Sequence, residues 1–212
     1  MSMSDVPVGS SVEVAELHTS QGGKVQLQVK NSGENKSGRT WADMTAKFSN
    51  GDQFGFRVYQ YLGGDSVAST FIGWRLSIIL SDIRVENGKK IAVIGTKASG
   101  GGGYNLSPDS AERKAEISKL RKGSTVYDIP MERQLNRDGL NLSARIVGEN
   151  DGRSVMVSCG IQRGNTGLSA TVEMYPEDSV SIPAVGTCRL ADFKDVRSAT
   201  ERSGAALVEV RR

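Results

Sequence analysis

The stretch TWADMTAKFSNGDQFGFRVYQYL, residues 40–62, holds six of the twelve aromatic residues of this 212-residue chain. A turn signal, the residues NGD at 50–52, divides it into two segments in which apolar and polar residues alternate. Alternation with a period of two is typical of β-strands that bury one face. The stretch therefore predicts a hairpin of two strands, near residues 40–49 and 52–61.

The alternation assigns each aromatic side chain of this hairpin to one face. The expected inner face is apolar and contains three phenylalanines: Ala42, Met44, Ala46, Phe48, Phe54, Phe56 and Val58. The expected outer face combines three other rings with two cations: Trp41, Lys47, Arg57, Tyr59 and Tyr61. Rings beside lysine and arginine suit stacking on nucleobases and binding of phosphates. The alternative is that a loop, the linker helix or a second subunit covers these rings, because exposed aromatic residues also mark protein interfaces.

The composition is that of a globular chain rich in strands and turns, with 25 glycines and a net charge of +3. Residues 1–97 and residues 98–122 each carry a net charge of +2, whereas residues 123–212 carry −1. The basic excess thus lies in the part of the chain that contains the aromatic hairpin. No apolar run approaches the roughly 20 residues that span a membrane, and the first residues do not form a secretory signal. We therefore expect a cytoplasmic protein without a membrane partner.

The chain also repeats itself. Five short matches occur in order at offsets of 113 to 115 residues; for example, VGSSVEV at 8–14 matches KGSTVYD at 122–128. Such a series indicates a diverged tandem duplication. In the second copy the strands corresponding to the hairpin present one ring, Tyr175, and no cation on their expected outer face. We therefore expect the first copy to bind a ligand and the second to support it or to bind weakly.

These patterns predict a mainly β chain of two tandem antiparallel β-barrels, since no strand leads into a crossover helix. The first domain should span residues 1–97 and the second residues 123–212. Between them, residues 98–122 combine a flexible Gly-rich linker with a helix expected at 108–121 and capped by Ser107.

The order of segments in the first copy resembles a known family. GGKVQLQVK is followed by the basic loop NSGENKSGRT, the hairpin, and then GWRLSIILSDIRVENGKKIAVIG. This order is similar to that of OB-fold single-stranded-DNA-binding proteins, and the repeat resembles their tandem-OB members. The resemblance implies barrels of OB type, in which loops 31–39 and 86–90 flank the binding face. It also implies that four cations lie beside the outer rings: Lys36, Arg39, Lys89 and Lys90.

The resemblance and the residues together predict binding of single-stranded DNA, largely without sequence preference, through base stacking and phosphate contacts. Such binding would protect single strands during replication, recombination or repair, in the host cytoplasm if the gene belongs to a phage. The expected binding residues are Trp41, Tyr59, Tyr61, Lys36, Arg39, Lys47, Arg57, Lys89 and Lys90. RNA stays open as a ligand, as do self-association and contacts with replication proteins. The chain ends GAALVEVRR instead of in the acidic tail of many family members, so the resemblance does not extend to tail-mediated recruitment of partners.

The residues offer little for catalysis or for a metal. His18 is the single histidine, and the glycine-rich segment lacks the Gly-Lys-Ser/Thr of a phosphate loop. Cys159 and Cys188 are expected to be buried thiols, because a cytosolic chain keeps its cysteines reduced; a single disulfide between them is the alternative. We therefore expect no enzymatic activity, no cofactor and no metal site. The alternative function is a structural or protein-binding β module, such as a virion component or an inhibitor, that uses the same aromatic face.

Overall fold

A computed structural model of the chain describes residues 1–15, 24–63, 70–73, 76–98, 108–147, 154–163, 166–194 and 204–212. The first half of the chain forms eight strands: β1 (Ser2–Pro7), β2 (Ser11–Ala15), β3 (Lys24–Glu34), β4 (Thr40–Lys47), β5 (Gln53–Tyr59), β6 (Thr70–Ile72), β7 (Leu76–Glu86) and β8 (Lys89–Ala98). After helix α1 (Ala111–Ser118), the second half forms eight more: β9 (Ser124–Pro130), β10 (Arg133–Arg137), β11 (Leu140–Ile146), β12 (Val155–Arg163), β13 (Thr166–Met174), β14 (Ser179–Ile182), β15 (Gly186–Lys194) and β16 (Ala205–Arg211).

The strands form two antiparallel sheets of eight, as the mainly β prediction requires. Sheet A has the order β1-β8-β7-β6-β13-β12-β11-β10, and sheet B has the order β2-β3-β4-β5-β14-β15-β16-β9. Each sheet therefore takes four strands from each half of the chain. None of the helical residues described forms a helix long and apolar enough to cross a membrane.

The two halves have the same topology. If each strand of one half is replaced by the corresponding strand of the other half, β1 by β9 and so on, the order of sheet A becomes the order of sheet B read from its other end. A bulge between Leu80 and Asp82 on β7 has its counterpart between Leu190 and Asp192 on β15. These bulges lie 110 residues apart. The offset between the two halves is therefore smaller here than in the short sequence matches, where it is 113 to 115 residues. The repeated topology supports an internal duplication.

Two short strands join the halves. In sheet A, β6 pairs with β13 through Phe71 opposite Thr171 and Ile72 opposite Ala170. In sheet B, β14 pairs with β5 through Ser181 opposite Gly55. Each sheet runs through both halves, and its described strands form a linear order that does not close into a barrel. The structure therefore differs from the expected pair of separate barrels. The reason is that β6 and β14 are too short to show an alternating pattern in the sequence.

Both sheets bury one face in a common apolar core. The core includes the residues assigned to the inner face of the hairpin, each at most 4% exposed: Ala42, Met44, Ala46, Phe48, Phe54, Phe56 and Val58. It also includes side chains from β7, β8 and the second half. The inward assignment of the three phenylalanines is therefore confirmed. We call the opposite side of each sheet its outer face.

Helix α1 connects the halves physically as well as in sequence. It begins later than expected because the hydroxyl of Ser110 accepts a hydrogen bond from the backbone N–H of Arg113, 3.1 Å away. Ser107, the expected cap, and the Gly-rich residues 99–107 lie outside the described residues. Arg113 reaches the β4–β5 turn and forms a bidentate ion pair with Asp52, with N–O distances of 2.7 and 2.9 Å. After the helix, Leu120 enters the core beside the β10–β11 turn.

The two cysteines differ from their prediction. Cys159 on β12 and Cys188 on β15 form a disulfide, with their Cα atoms 6.7 Å apart. The prediction of two separate thiols is therefore wrong in this structure. The physical reason is that β12 belongs to sheet A and β15 to sheet B, and both side chains point into the core between the sheets. The sequence shows that each cysteine is buried but not that the two meet.

Candidate functional site

The aromatic residues expected on the outer face lie where the two halves meet in sheet B. Trp41 on β4 is directly opposite Tyr59 on β5. Trp41 is half-buried, but Tyr59 is only 4% exposed. The second half covers Tyr59: the ring of Tyr175 lies 4.8 Å away between centroids, and the Tyr59 hydroxyl donates a 2.6 Å hydrogen bond to Oδ2 of Asp178. The prediction that Tyr59 faces solvent is therefore wrong, and the covering element is the second copy.

The Tyr59 hydroxyl remains protonated in this environment. Burial raises the pKa of Tyr59 far above its usual value, and the hydrogen bond to Asp178 and the negative charge of that carboxylate raise it further. The neutral phenol can therefore donate to Asp178 across the physiological range. This bond fastens the turn before β14 to the end of β5.

Arg57 lies on the outer face as predicted, but carboxylates surround it. Its guanidinium donates to both carboxylate oxygens of Asp43, at 2.8 and 3.1 Å, and to Asp178 at 3.1 Å. It also stacks on the Trp41 ring, with Cζ 3.7 Å from the centroid. Burial opposes the charged form, but hydrogen bonding and attraction to Asp43, with contributions from Tyr59 and Asp178, raise the pKa of Arg57. Arg57 therefore keeps its positive charge, and the negative charges of Asp43 and Asp178 already offset that charge.

Arg39 is also turned toward the second half. Its side chain is 14% exposed and forms a 3.4 Å ion pair with Glu173. It donates a 3.0 Å hydrogen bond to the carbonyl oxygen of Gln60 and a 3.4 Å hydrogen bond to the hydroxyl of Tyr175. Glu173 is buried, and Arg39 and Ser154 bind its carboxylate. Arg39 thus serves the contact between the halves and is poorly placed for a phosphate.

Trp41 keeps part of its indole at the surface. The ring occupies the space above Gly33 on the neighbouring strand: a Cβ at position 33 would lie 2.8 Å from Cζ2 of Trp41. A larger residue at position 33 would therefore displace the indole. With Gly33 and the guanidinium of Arg57 against it, the indole is held in one place while remaining half-exposed.

The predicted lysines are exposed but do not gather around Trp41. Lys36 lies in the β3–β4 turn near Trp41, whereas Lys47 lies six residues further along β4, about 20 Å away at the usual strand rise. Lys89 and Lys90 lie on the β7–β8 hairpin of sheet A, so the structure does not bring them onto the outer face of sheet B. Within the described part of the chain, none of these four lysines has an ion-pair partner. Tyr61, which follows β5, is half-buried.

One cation of this face escaped the sequence prediction. Lys30 on β3 is exposed on the outer face of sheet B, and it lines a cavity of about 300 Å³ together with Asp43, Gly55 and Arg57. Alternation in KVQLQVK already places Lys24, Gln26, Gln28 and Lys30 on one side, so this signal was present in the sequence. Lys24 pairs with Glu13, whereas Lys30 has no ion-pair partner among the described residues.

Three residues of the second half also escaped the prediction: Glu173, Tyr175 and Asp178. They lie 119 to 136 residues from their partners in the first half. No local pattern of residues could identify contacts across such a separation. Among the described residues, no group of three or more His, Cys, Asp and Glu side chains could hold a metal ion.

The arrangement combines a fixed, half-exposed indole with a polar strand surface that carries exposed lysines. A comparison of the chain with protein-family models, curated proteins and solved structures gives no match.

Proposed function

We propose that the protein binds single-stranded DNA on the outer face of sheet B. Trp41 would stack on a base, and Lys30, Lys36 and Lys47 would contact phosphates. The observation that supports this most is the partly exposed Trp41 on a strand surface where Lys30, Lys36 and Lys47 have no ion-pair partner among the described residues. Base stacking on an aromatic side chain, combined with backbone contacts from lysine, is the usual way to bind single strands without reading their sequence.

Two features favour a single strand over a duplex. Bases expose their ring faces for stacking only when they are unpaired. The one helix among the described residues, α1, has eight residues and buries Arg113 and Glu116 against the sheets, so it offers no free row of side chains for a major groove. RNA remains a second ligand of the same kind, because stacking does not require a particular sugar.

Fluorescence of Trp41 tests the proposal directly. The chain contains two tryptophans, so the Trp74→Phe variant makes Trp41 the single reporter. We expect oligo-dT to quench this fluorescence and a duplex of the same length to leave it unchanged; oligo-rU measures the preference for DNA over RNA. A protein that responds to none of the three nucleic acids would contradict the proposed function.

Removing the indole should weaken binding without unfolding the protein. For Trp41→Ala, we expect affinity for oligo-dT to fall by about 1–3 kcal/mol, the usual loss of one stacking partner. Trp41→Phe is the matched control, because it keeps a ring and should retain part of the affinity. Anisotropy titrations with labelled oligo-dT measure binding, and thermal melts measure folding. If Trp41→Ala unfolds the protein while its folded fraction binds normally, Trp41 is a packing residue.

Salt dependence should report how many cations contact phosphates. If Lys30, Lys36 and Lys47 make three contacts, the logarithm of the association constant should fall with the logarithm of salt concentration with a slope of about −2, at −0.7 per contact. If Arg39 and Arg57 also made contacts, five would give a slope of about −3 to −4. Titrations with oligo-dT at four salt concentrations measure the slope. An affinity independent of salt would contradict phosphate contacts on this face.

A structural or protein-binding β module is the second candidate. Its specific support is a group of exposed apolar side chains on sheet A: Met1, Met3 and Phe71. Met1, Met3 and Ile79 also converge over Gly95, where an added Cβ would contact all three. Exposed apolar groups of this kind are found at protein interfaces. Failure of every nucleic acid to change the fluorescence of Trp41 would favour this candidate.

A further inference from the structure

Among the residues predicted to bind phosphate, Arg57 has surroundings that suit this role poorly. Two carboxylates, Asp43 and Asp178, bind its guanidinium through three hydrogen bonds. The three side chains together carry a net charge of −1. A cation attracts a phosphate through its positive charge. Arg57, Asp43 and Asp178 together have no net positive charge and would not attract one.

Arg57 is held from both halves of the molecule. Asp43 lies directly opposite it on β4, while Asp178 comes from the second half and is itself fixed by the hydroxyl of Tyr59. The Arg57 side chain is 28% exposed, and its guanidinium lies over the Trp41 ring. Bidentate arginine–carboxylate pairs fix the plane of the guanidinium as well as its position. The group that stacks on the indole is therefore fixed in orientation.

Transfer of Arg57 to a DNA phosphate would be unfavourable. It would break charge-assisted hydrogen bonds, which are the stronger kind, and it would leave Asp43 and Asp178 beside a third negative charge. It would also remove the cation from the ring of Trp41, with loss of the cation–π attraction. Lys30 lines the same cavity, which also contains Glu177, but it has no ion-pair partner among the described residues. Lys30 can therefore contact a phosphate without breaking an ion pair.

We propose that Arg57 is a positioning residue of the single-strand site. It holds the indole of Trp41 against Gly33, and a base meets the part of the indole that the guanidinium leaves uncovered. Lys30, Lys36 and Lys47 supply the charge that phosphates require. This inference rests on the proposed function. A substitution of Arg57 should then weaken base stacking but leave the salt dependence of binding unchanged.

The decisive variant is Arg57→Lys, which keeps the positive charge but loses the planar bidentate group. If Arg57 positions the indole, the affinity of this variant for oligo-dT should fall about fivefold or more, as when one stacking partner is misplaced. The slope of the logarithm of the association constant against the logarithm of salt concentration should not change. In the Trp74→Phe background, the emission maximum of Trp41 should also shift in the free protein. A direct phosphate contact predicts instead that Arg57→Lys keeps nearly full affinity and leaves the emission of Trp41 unchanged.

Two further variants complete the test. Arg57→Gln should weaken binding at every salt concentration without changing the slope. Lys47→Gln, the matched control, should reduce the slope by about 0.7 and leave the emission of Trp41 unchanged. If Arg57→Gln reduces the slope by the same amount, Arg57 contacts phosphate and the positioning role is overturned while DNA binding stands. If the unmodified protein does not bind oligo-dT, the proposed function fails, and the positioning role fails with it.

Discussion

Replacing Phe56 with alanine is expected to lower the free energy of unfolding by about 3–5 kcal/mol. Phe56 is 4% exposed and lies in the middle of β5, where its ring belongs to the core shared by both sheets. Alanine would remove most of this buried apolar surface and leave a cavity that close-packed neighbours cannot fill completely. Urea unfolding followed by circular dichroism measures the change.

Phe71→Ala is the matched control for this substitution. Phe71 lies on short strand β6 and is 36% exposed. Its replacement should change the free energy of unfolding by only about 0.5 kcal/mol, as is usual at the surface. Equal effects at the two positions would contradict the assignment of inner and outer faces. The binding of oligo-dT by folded Phe56→Ala should remain close to that of the unmodified protein, because its ring does not reach the outer face.

Breaking the ion pair between helix α1 and the β4–β5 turn should have a similarly large effect. Arg113 and Asp52 are each 4% exposed and form a bidentate pair. Arg113→Ala would leave the carboxylate of Asp52 buried without its main cation, a change that typically costs about 3–5 kcal/mol. Asp52→Ala should cost about as much for the reciprocal reason. Urea unfolding of each variant measures these costs.

A double-mutant cycle separates the pair from the rest of the helix. With Asp52 and Arg113 both replaced by alanine, neither charge of the pair is left buried without the other, so the double variant should be much less destabilised than the sum of the single variants. Lys114→Ala is a control on the exposed side of the same helix. Additive effects of Asp52→Ala and Arg113→Ala would show that their contact does not anchor the helix to the first half.

The sequence predicted the long strands well. Alternation and turn signals predict six strands in each half, and each of the twelve overlaps a strand of the structure, from β2 to β16. The predicted strands lie near residues 11–17, 23–31, 40–49, 52–61, 73–85, 89–96, 125–132, 139–147, 154–161, 167–175, 187–197 and 204–210. The four strands that it missed are short or lie at an edge: β1, β6, β10 and β14. Of these, β6 and β14 occupy corresponding places in the two halves and are the strands that join them, whereas β1 and β10 lie at the two edges of sheet A. A segment of three or four residues is too short to show a period, so the continuity of the sheets could not be predicted.

The candidate site was predicted in part. Alternation correctly placed Arg57 and Trp41 on the side of the hairpin away from the core. It could not predict that Arg57 meets Asp178 or that Arg39 meets Glu173, because these partners belong to the other half of the chain. It also assigned a phosphate role to Arg57 and not to Lys30. The charge of a residue is visible in the sequence, but the carboxylates that neutralise it are not.

The order of residues is enough to predict where the long strands run and which of their side chains face the core, because the pleat of a strand places successive side chains on opposite sides. That rule is local and needs no knowledge of the rest of the chain. Which outer side chains stay in water depends instead on how the folded chain packs. Tyr59 lies away from the inner face of β5, yet it is buried because Tyr175 and Asp178, more than 100 residues later, pack against it. Exposure depends on what distant segments cover, and the meeting of the two halves removed Tyr59 and Arg39 from the surface while leaving Trp41 and the lysines there.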